Sequence, residues 1–221
     1  MSNYRFPRSL MNAGLPRLTV AATVALGTLL AGGPAFAAGH HETRADSQSD
    51  TSSQKLLPGS AQMLLQIAEK QIGVTENASG GGTLFHDWYM SSPRAKETVA
   101  RDGGNVRAYA NAPWCAMFVS WVGEKAGLRS TVGWDAYTVT WANWFKDNGR
   151  WGTVAKPGSV VYFAWGANKT IGGIDHMGLV KKDNGDGTIT TIEGNTGNGK
   201  VEQRVRPKSD VVGYGYPEYK A

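Results

Sequence analysis

The chain has 221 residues, 41% hydrophobic and 19% charged, which is globular composition with room for one domain of ordinary size. Its formal charge of +5 falls to +2 once Arg5, Arg8 and Arg17 are set aside with an N-terminal leader that carries no acid, a balance too weak for a nucleic-acid binder. The single cysteine, Cys115, excludes an internally disulfide-bonded scaffold, and neither a C-x-x-C nor an H-E-x-x-H zinc signature occurs.

Residues 1–37 read as a secretory signal peptide: a basic start, an apolar run from Leu18 to Ala31, and Pro34-Ala35-Phe36-Ala37 as an A-x-A cleavage site. The apolar run of 14 residues falls short of the roughly 20 needed to span a bilayer. Cleavage after Ala37 is expected to leave 184 residues, secreted and without membrane attachment, either extracellular or associated with a cell wall. Residues 38–58 are rich in Ser, Thr, Asp, Gln and Gly and read as a flexible polar linker. His40-His41 belongs to it and has no neighbours that complete a metal site.

A first helix is expected from Ser60 as cap, with Met63, Leu64, Ile67, Ala68 and Ile72 as its apolar stripe and an end near Gly73. Asn77 to Ala112 reads only as loops and short helices around Gly80-Gly81-Gly82 and Gly103-Gly104. A second helix follows Asn111-Ala112-Pro113, read as a cap and early proline, and stops at Gly127, with Cys115 in its first turn. Thr138 to Asn148 repeats the pattern, terminated by Gly149. From Pro157 the period changes to two, with strands at Gly158–Trp165, His176–Lys182, Thr188–Glu193, Val201–Arg206 and Val211–Tyr216. Helices followed by an antiparallel meander predict an α+β fold with the N-terminal helices packed on a C-terminal antiparallel sheet.

A thiol at a helix N-terminus is favoured as thiolate by unpaired backbone N–H groups and the helix dipole. Cys115 has that place, although it also falls on a core stripe with Phe118, Val119, Val122 and Ala126. A two-residue turn at Asn184-Gly185 sets His176 opposite Glu193; a turn at Gly185-Asp186, or a four-residue loop, sets it opposite Asn195. An odd-length loop sets Gly194 there instead. Thiol, imidazole and a carboxylate or amide orienter form the set that nucleophilic thiol catalysis uses.

Pro113-Trp114-Cys115-Ala116-Met117-Phe118-Val119-Ser120-Trp121, Pro157-Gly158-Ser159-Val160-Val161-Tyr162-Phe163, Ile174-Asp175-His176-Met177-Gly178-Leu179-Val180 and Ile192-Glu193-Gly194-Asn195 together resemble the CHAP family, the cysteine, histidine-dependent amidohydrolases and peptidases. The resemblance runs from Ala61 to Pro217, so residues 59–217 are expected to form the catalytic domain. It implies a papain-like fold that hydrolyses amide bonds of bacterial peptidoglycan, as an N-acetylmuramoyl-L-alanine amidase or a peptide endopeptidase. By the same resemblance Cys115 is nucleophile, His176 general base, Glu193 main orienter and Asn195 a secondary polar member.

Some relatives bind calcium through acids just before the nucleophile, but Val106 to Ala112 has no carboxylate, so no metal and no cofactor is expected. Trp114, beside the nucleophile, and Trp165, at a strand end before His176, are candidate walls of a substrate cleft. Asn111 is a candidate second oxyanion donor or a helix cap. A monomer is the default, with peptidoglycan the expected partner. Competing readings are a wall-binding protein that keeps the fold without chemistry, and acyl transfer to an amine in place of water.

Overall fold

The computed structural model describes residues 57–220. The leader and nearly all of the linker lie outside the described residues. Six α-helices precede six strands: α1 Ala61–Glu69, α2 Leu84–Ser91, α3 Pro93–Asp102, α4 Cys115–Lys125, α5 Arg129–Val132 and α6 Thr138–Asp147, then β1 Trp151–Gly152, β2 Val160–Phe163, β3 His176–Asp183, β4 Thr188–Thr196, β5 Lys200–Pro207 and β6 Val211–Gly215. This is the expected α+β order.

Ser60 caps α1 by accepting from the Met63 N–H at 3.1 Å. The helix ends earlier than expected, and Ile72 lies in the following turn, half exposed, rather than on the buried stripe. The stretch from Asn77 to Ala112, expected to hold loops and short helices, contains α2 and α3. Thr83 caps α2 with His86 as the reciprocal member of a capping box, a role usually read from Glu or Gln; Ser92 caps α3 with Pro93 in its first turn.

The helix carrying the cysteine starts later than the sequence suggests. Asn111 closes a 3-10 turn, Val106–Asn111, and Trp114 occupies the α4 cap position without a side-chain cap bond. Buried residues occur all round α4, which runs through the centre of the domain against β3 and β4. α6 buries Trp141, Ala142 and Phe145, and Gly149 follows it at φ 67°.

The sheet order is β1-β6-β2-β3-β4-β5, all antiparallel. β2 to β5 form the expected meander, but β6 crosses back to pair with the free edge of β2, and β1 adds to it. Glycines admit this return: a Cβ at Gly213 would stand 2.3 Å from Trp151, and one at Gly215 would stand 2.2 Å from Phe145. One sheet face joins the helical core through Val160, Tyr162, Met177, Leu179 and Ile192. The other gathers Val161, Phe163, Val180, Ile189 and Tyr214. Among the described residues no helix is long and apolar enough to cross a membrane.

The β3–β4 hairpin departs from every even loop anticipated. Asn184 N–H donates to Thr188 O at 3.1 Å around Gly185-Asp186-Gly187, with both glycines at positive φ. That odd loop alone would change the pairing parity, but a bulge at Lys181 restores it, so Val180 faces Thr191 and Leu179 faces Ile192. Extended by one pair, this register sets Gly178 against Glu193.

Candidate active site

Cys115 is the first residue of α4 and 5% exposed. The chain reaches it through a fixed approach. Trp114, fully buried, stacks on Phe85 at 5.4 Å and donates from Nε1 to Glu76 at 2.7 Å. His86, also fully buried, bonds the Ala112 carbonyl at 3.1 Å through Nε2; a carbonyl only accepts, so Nε2 carries the proton and Nδ1 faces Thr83. Neither Glu76 nor His86 stood out in the sequence, because both act across long separations.

His176 opens β3, and its ring, 7% exposed, meets Glu193 at 2.9 Å through Nε2. The Cys115 thiol lies close enough to act on its charge. With Nε2 engaged, Nδ1 is the nitrogen left for sulfur. Burial is the largest single influence and opposes charge on the ring. The pull of the neighbouring Cys115 and Glu193 outweighs it and pushes the pKa from 6.5 to about 9.

Glu193 has no exposed surface. Its carboxylate accepts from Thr191 Oγ1 at 2.5 Å and from Arg206 at 2.9 and 2.6 Å, besides His176. Burial alone would raise its pKa, but Arg206, then His176 and Thr191, hold it down at about 2. The side chain reaches His176 diagonally across Gly178, where an added Cβ would come within 2.7 Å of Glu193 Cγ. The pairing at this end of the hairpin, Leu179 opposite Ile192, is the register expected from a Gly185-Asp186 turn and not the one that opposes Glu193 directly, so Glu193 reaches the ring along a diagonal past Gly178. Thr191 and Arg206 were missed in sequence; their alternation with Glu193 on adjacent strands was the available signal.

Trp165 belongs to this neighbourhood. It is 47% exposed, stacks on Phe163 at 5.2 Å, and its ring centre lies 5.8 Å from that of His176. Trp114 does not: expected as a cleft wall, it is core, because adjacent helical residues point about 100° apart and nearness in sequence to Cys115 does not set its direction. Asn195 sits at φ 54° in the irregularity between Glu193 and Thr196, half-buried, and makes no side-chain hydrogen bond among the described residues; Glu193 already takes the imidazole N–H. Asn111 neither caps α4 nor reaches Cys115's helix start as a cap would; its side chain lies over Gly81 and is solvent-exposed.

Gly194 fixes the spacing between α4 and β4. An added Cβ would stand 2.6 Å from Phe118 Cβ and 2.8 Å from Trp114 Cζ3. Gly194→Ala must push the strand off the helix, and urea unfolding is expected to show a loss of about 1–3 kcal/mol.

A recess of about 160 Å³ elsewhere is lined by Trp134, Trp141, Trp144, Arg94 and Asp135 and contains none of these residues. Asp135 there is held by Arg94 and Arg101, a structural ion cluster. Among the described residues no group of three or more His, Cys, Asp or Glu side chains is placed to hold a metal.

Residues 107–195 match the family model of the CHAP domain. Over that segment the chain is similar to the CHAP domain. No curated protein matches the chain at the significance required. CHAP domains are generally amidohydrolases or peptidases, and the family points to peptidoglycan as substrate. The matched segment contains Cys115, His176, Glu193 and Asn195, whereas Arg206 lies beyond its end.

Proposed function

We propose that the chain is a cysteine-dependent hydrolase of peptidoglycan amide bonds, acting outside the cell after removal of residues 1–37. The observation that carries this reading is one imidazole, His176, that neighbours a thiol at a helix start and hydrogen-bonds a buried carboxylate. A thiol so placed passes its proton to the ring and becomes the nucleophile.

Cys115 sulfur attacks the scissile carbonyl carbon, and the backbone N–H of Cys115, free at the helix start, donates to the oxyanion. His176 then gives its proton to the departing amine as the C–N bond breaks, leaving a thioester. Water adds to the thioester carbon, its proton returns to His176, and the carboxylic acid leaves as the thiol is restored. Glu193 keeps the ring oriented and supports its positive charge throughout. Trp165 offers an exposed apolar face beside the imidazole against which a sugar or side chain can lie.

The test is incubation of the purified full chain with peptidoglycan, untreated or alkylated with iodoacetamide, followed by mass spectrometry of soluble products. Thiol-dependent release is expected, with product masses naming the bond as muramoyl-alanine amide or stem-peptide link. Folded protein that binds walls but releases nothing overturns the hydrolase reading in favour of a non-catalytic wall binder.

A further inference from the structure

Arg206 lies outside the segment matched to the family, on β5, yet it makes two of the hydrogen bonds to the buried carboxylate, one to each oxygen. We propose that Arg206 is a positioning residue for the Cys115–His176 pair: by clamping both oxygens of Glu193 it keeps that carboxylate ionised and aimed at Nε2, and so sets the pH window in which the thiol is reactive. This rests on the reading of Cys115 as nucleophile.

The geometry is that of a planar fork on a carboxylate. Nε donates to Oε1 at 2.9 Å and Nη2 to Oε2 at 2.6 Å, and Nη2 also donates to Thr196 Oγ1 at 2.9 Å. The guanidinium lies 4.9 Å from the Trp165 ring centre and 5.8 Å from that of Phe163. Its side chain is 17% exposed, so water competes weakly for the pair. Lysine offers neither the fork nor the flat face.

The charged neighbours are few. Glu193 faces His176 from β3 and Arg206 from β5, with Thr191 on its own strand. Arg206 faces Glu193 and, at longer range, Asp210 and Glu202. His176 faces Glu193 and Cys115. Tyr162 on β2 faces Cys115, the Asp175 carboxylate accepts from the Trp165 backbone N–H at 2.9 Å, and Phe163 and Trp165 complete the surroundings.

Arg206 therefore acts in two ways. Without it, a carboxylate having no exposed surface takes up a proton at higher pH and stops supporting the imidazolium, so the acid limb of thiol reactivity rises. Above that pH the unshared carboxylate faces the ring alone, so the ring keeps its proton longer and the alkaline limb rises too. Both limbs move the same way. An arginine that only held β4 to β5 would lower the melting temperature and leave both limbs in place.

The experiment is the rate of Cys115 alkylation by iodoacetamide against pH in the full chain, for wild type, His176→Ala, Arg206→Met and Arg206→Lys, with unfolding followed in parallel. Arg206→Met is expected to displace the acid limb upward by about one pH unit or more, with the alkaline limb following. Arg206→Lys is expected to shift both by less, and it carries the test alone if the methionine variant does not fold. Limbs that superpose on wild type in either folded variant overturn the proposal. A wild-type profile identical to that of His176→Ala would instead sink the thiol–imidazole reading on which it rests.

Discussion

Replacing Cys115 by alanine or serine is expected to lower amide hydrolysis by on the order of 10⁴-fold or more, since removing a covalent nucleophile leaves only binding and oxyanion stabilisation. Serine is the sharper test. It preserves shape and a hydroxyl at the helix start, but an imidazole does not ionise it as it does a thiol. The fold should tolerate both changes, because Cys115 is a small residue at the edge of the core and its truncation costs about 1 kcal/mol. Turnover is read on peptidoglycan fragments and stability by thermal unfolding. Full turnover by the alanine variant would return Cys115 to a plain core residue beside Phe118 and Val119.

Glu193→Gln is expected to cost activity by about 10²–10⁴-fold, the upper end matching what a carboxylate-to-amide change behind a catalytic histidine costs in serine triads. Glu193 is surrounded by donors: His176, Thr191 and two nitrogens of Arg206. An amide brings two donors of its own and leaves Arg206 with an uncompensated, mostly buried charge. Stability should fall by about 3 kcal/mol or more for the same reason. The pH dependence gives the sign. Glu193 has its pKa lowered from 4.5 to about 2, so its contribution is complete above pH 4.5 and is lost as pH falls toward 2. His176 has its pKa raised from 6.5 to about 9, so its contribution is complete below pH 6.5 and fades as pH rises through 9. The stability gap between wild type and variant should thus be widest near pH 5–6 and narrow at both ends, as denaturant titrations at several pH values can record.

Where local chemistry settles local structure, the linear reading and the fold agree. Ser60 and its apolar stripe lead into α1, Gly149 follows α6, and period-two runs became β2 to β6 at nearly the anticipated bounds. α2 and α3 were harder to see because the capping box of α2 uses a histidine at the third position and burial depends on partners elsewhere, such as Tyr109 against Tyr89 of α2. The hairpin shows the same division. Its turn residues were recognisable, but a three-residue loop and a bulge at Lys181 compensate each other, and no local preference announces that sum.

The sequence by itself determined the order of helices and strands, the helix-start placement of Cys115, and His176 and Glu193 on adjacent strands, because caps, periodicity and turn residues act over a few positions. Tertiary structure alone decided that Trp114 turns into the core, that Glu193 takes the imidazole hydrogen bond, that β6 returns to β2, and that Thr191 and Arg206 enclose Glu193. Side-chain direction, strand order and charge neutralisation in a buried site depend on groups far apart in the chain, and their energies exist only once the elements have packed.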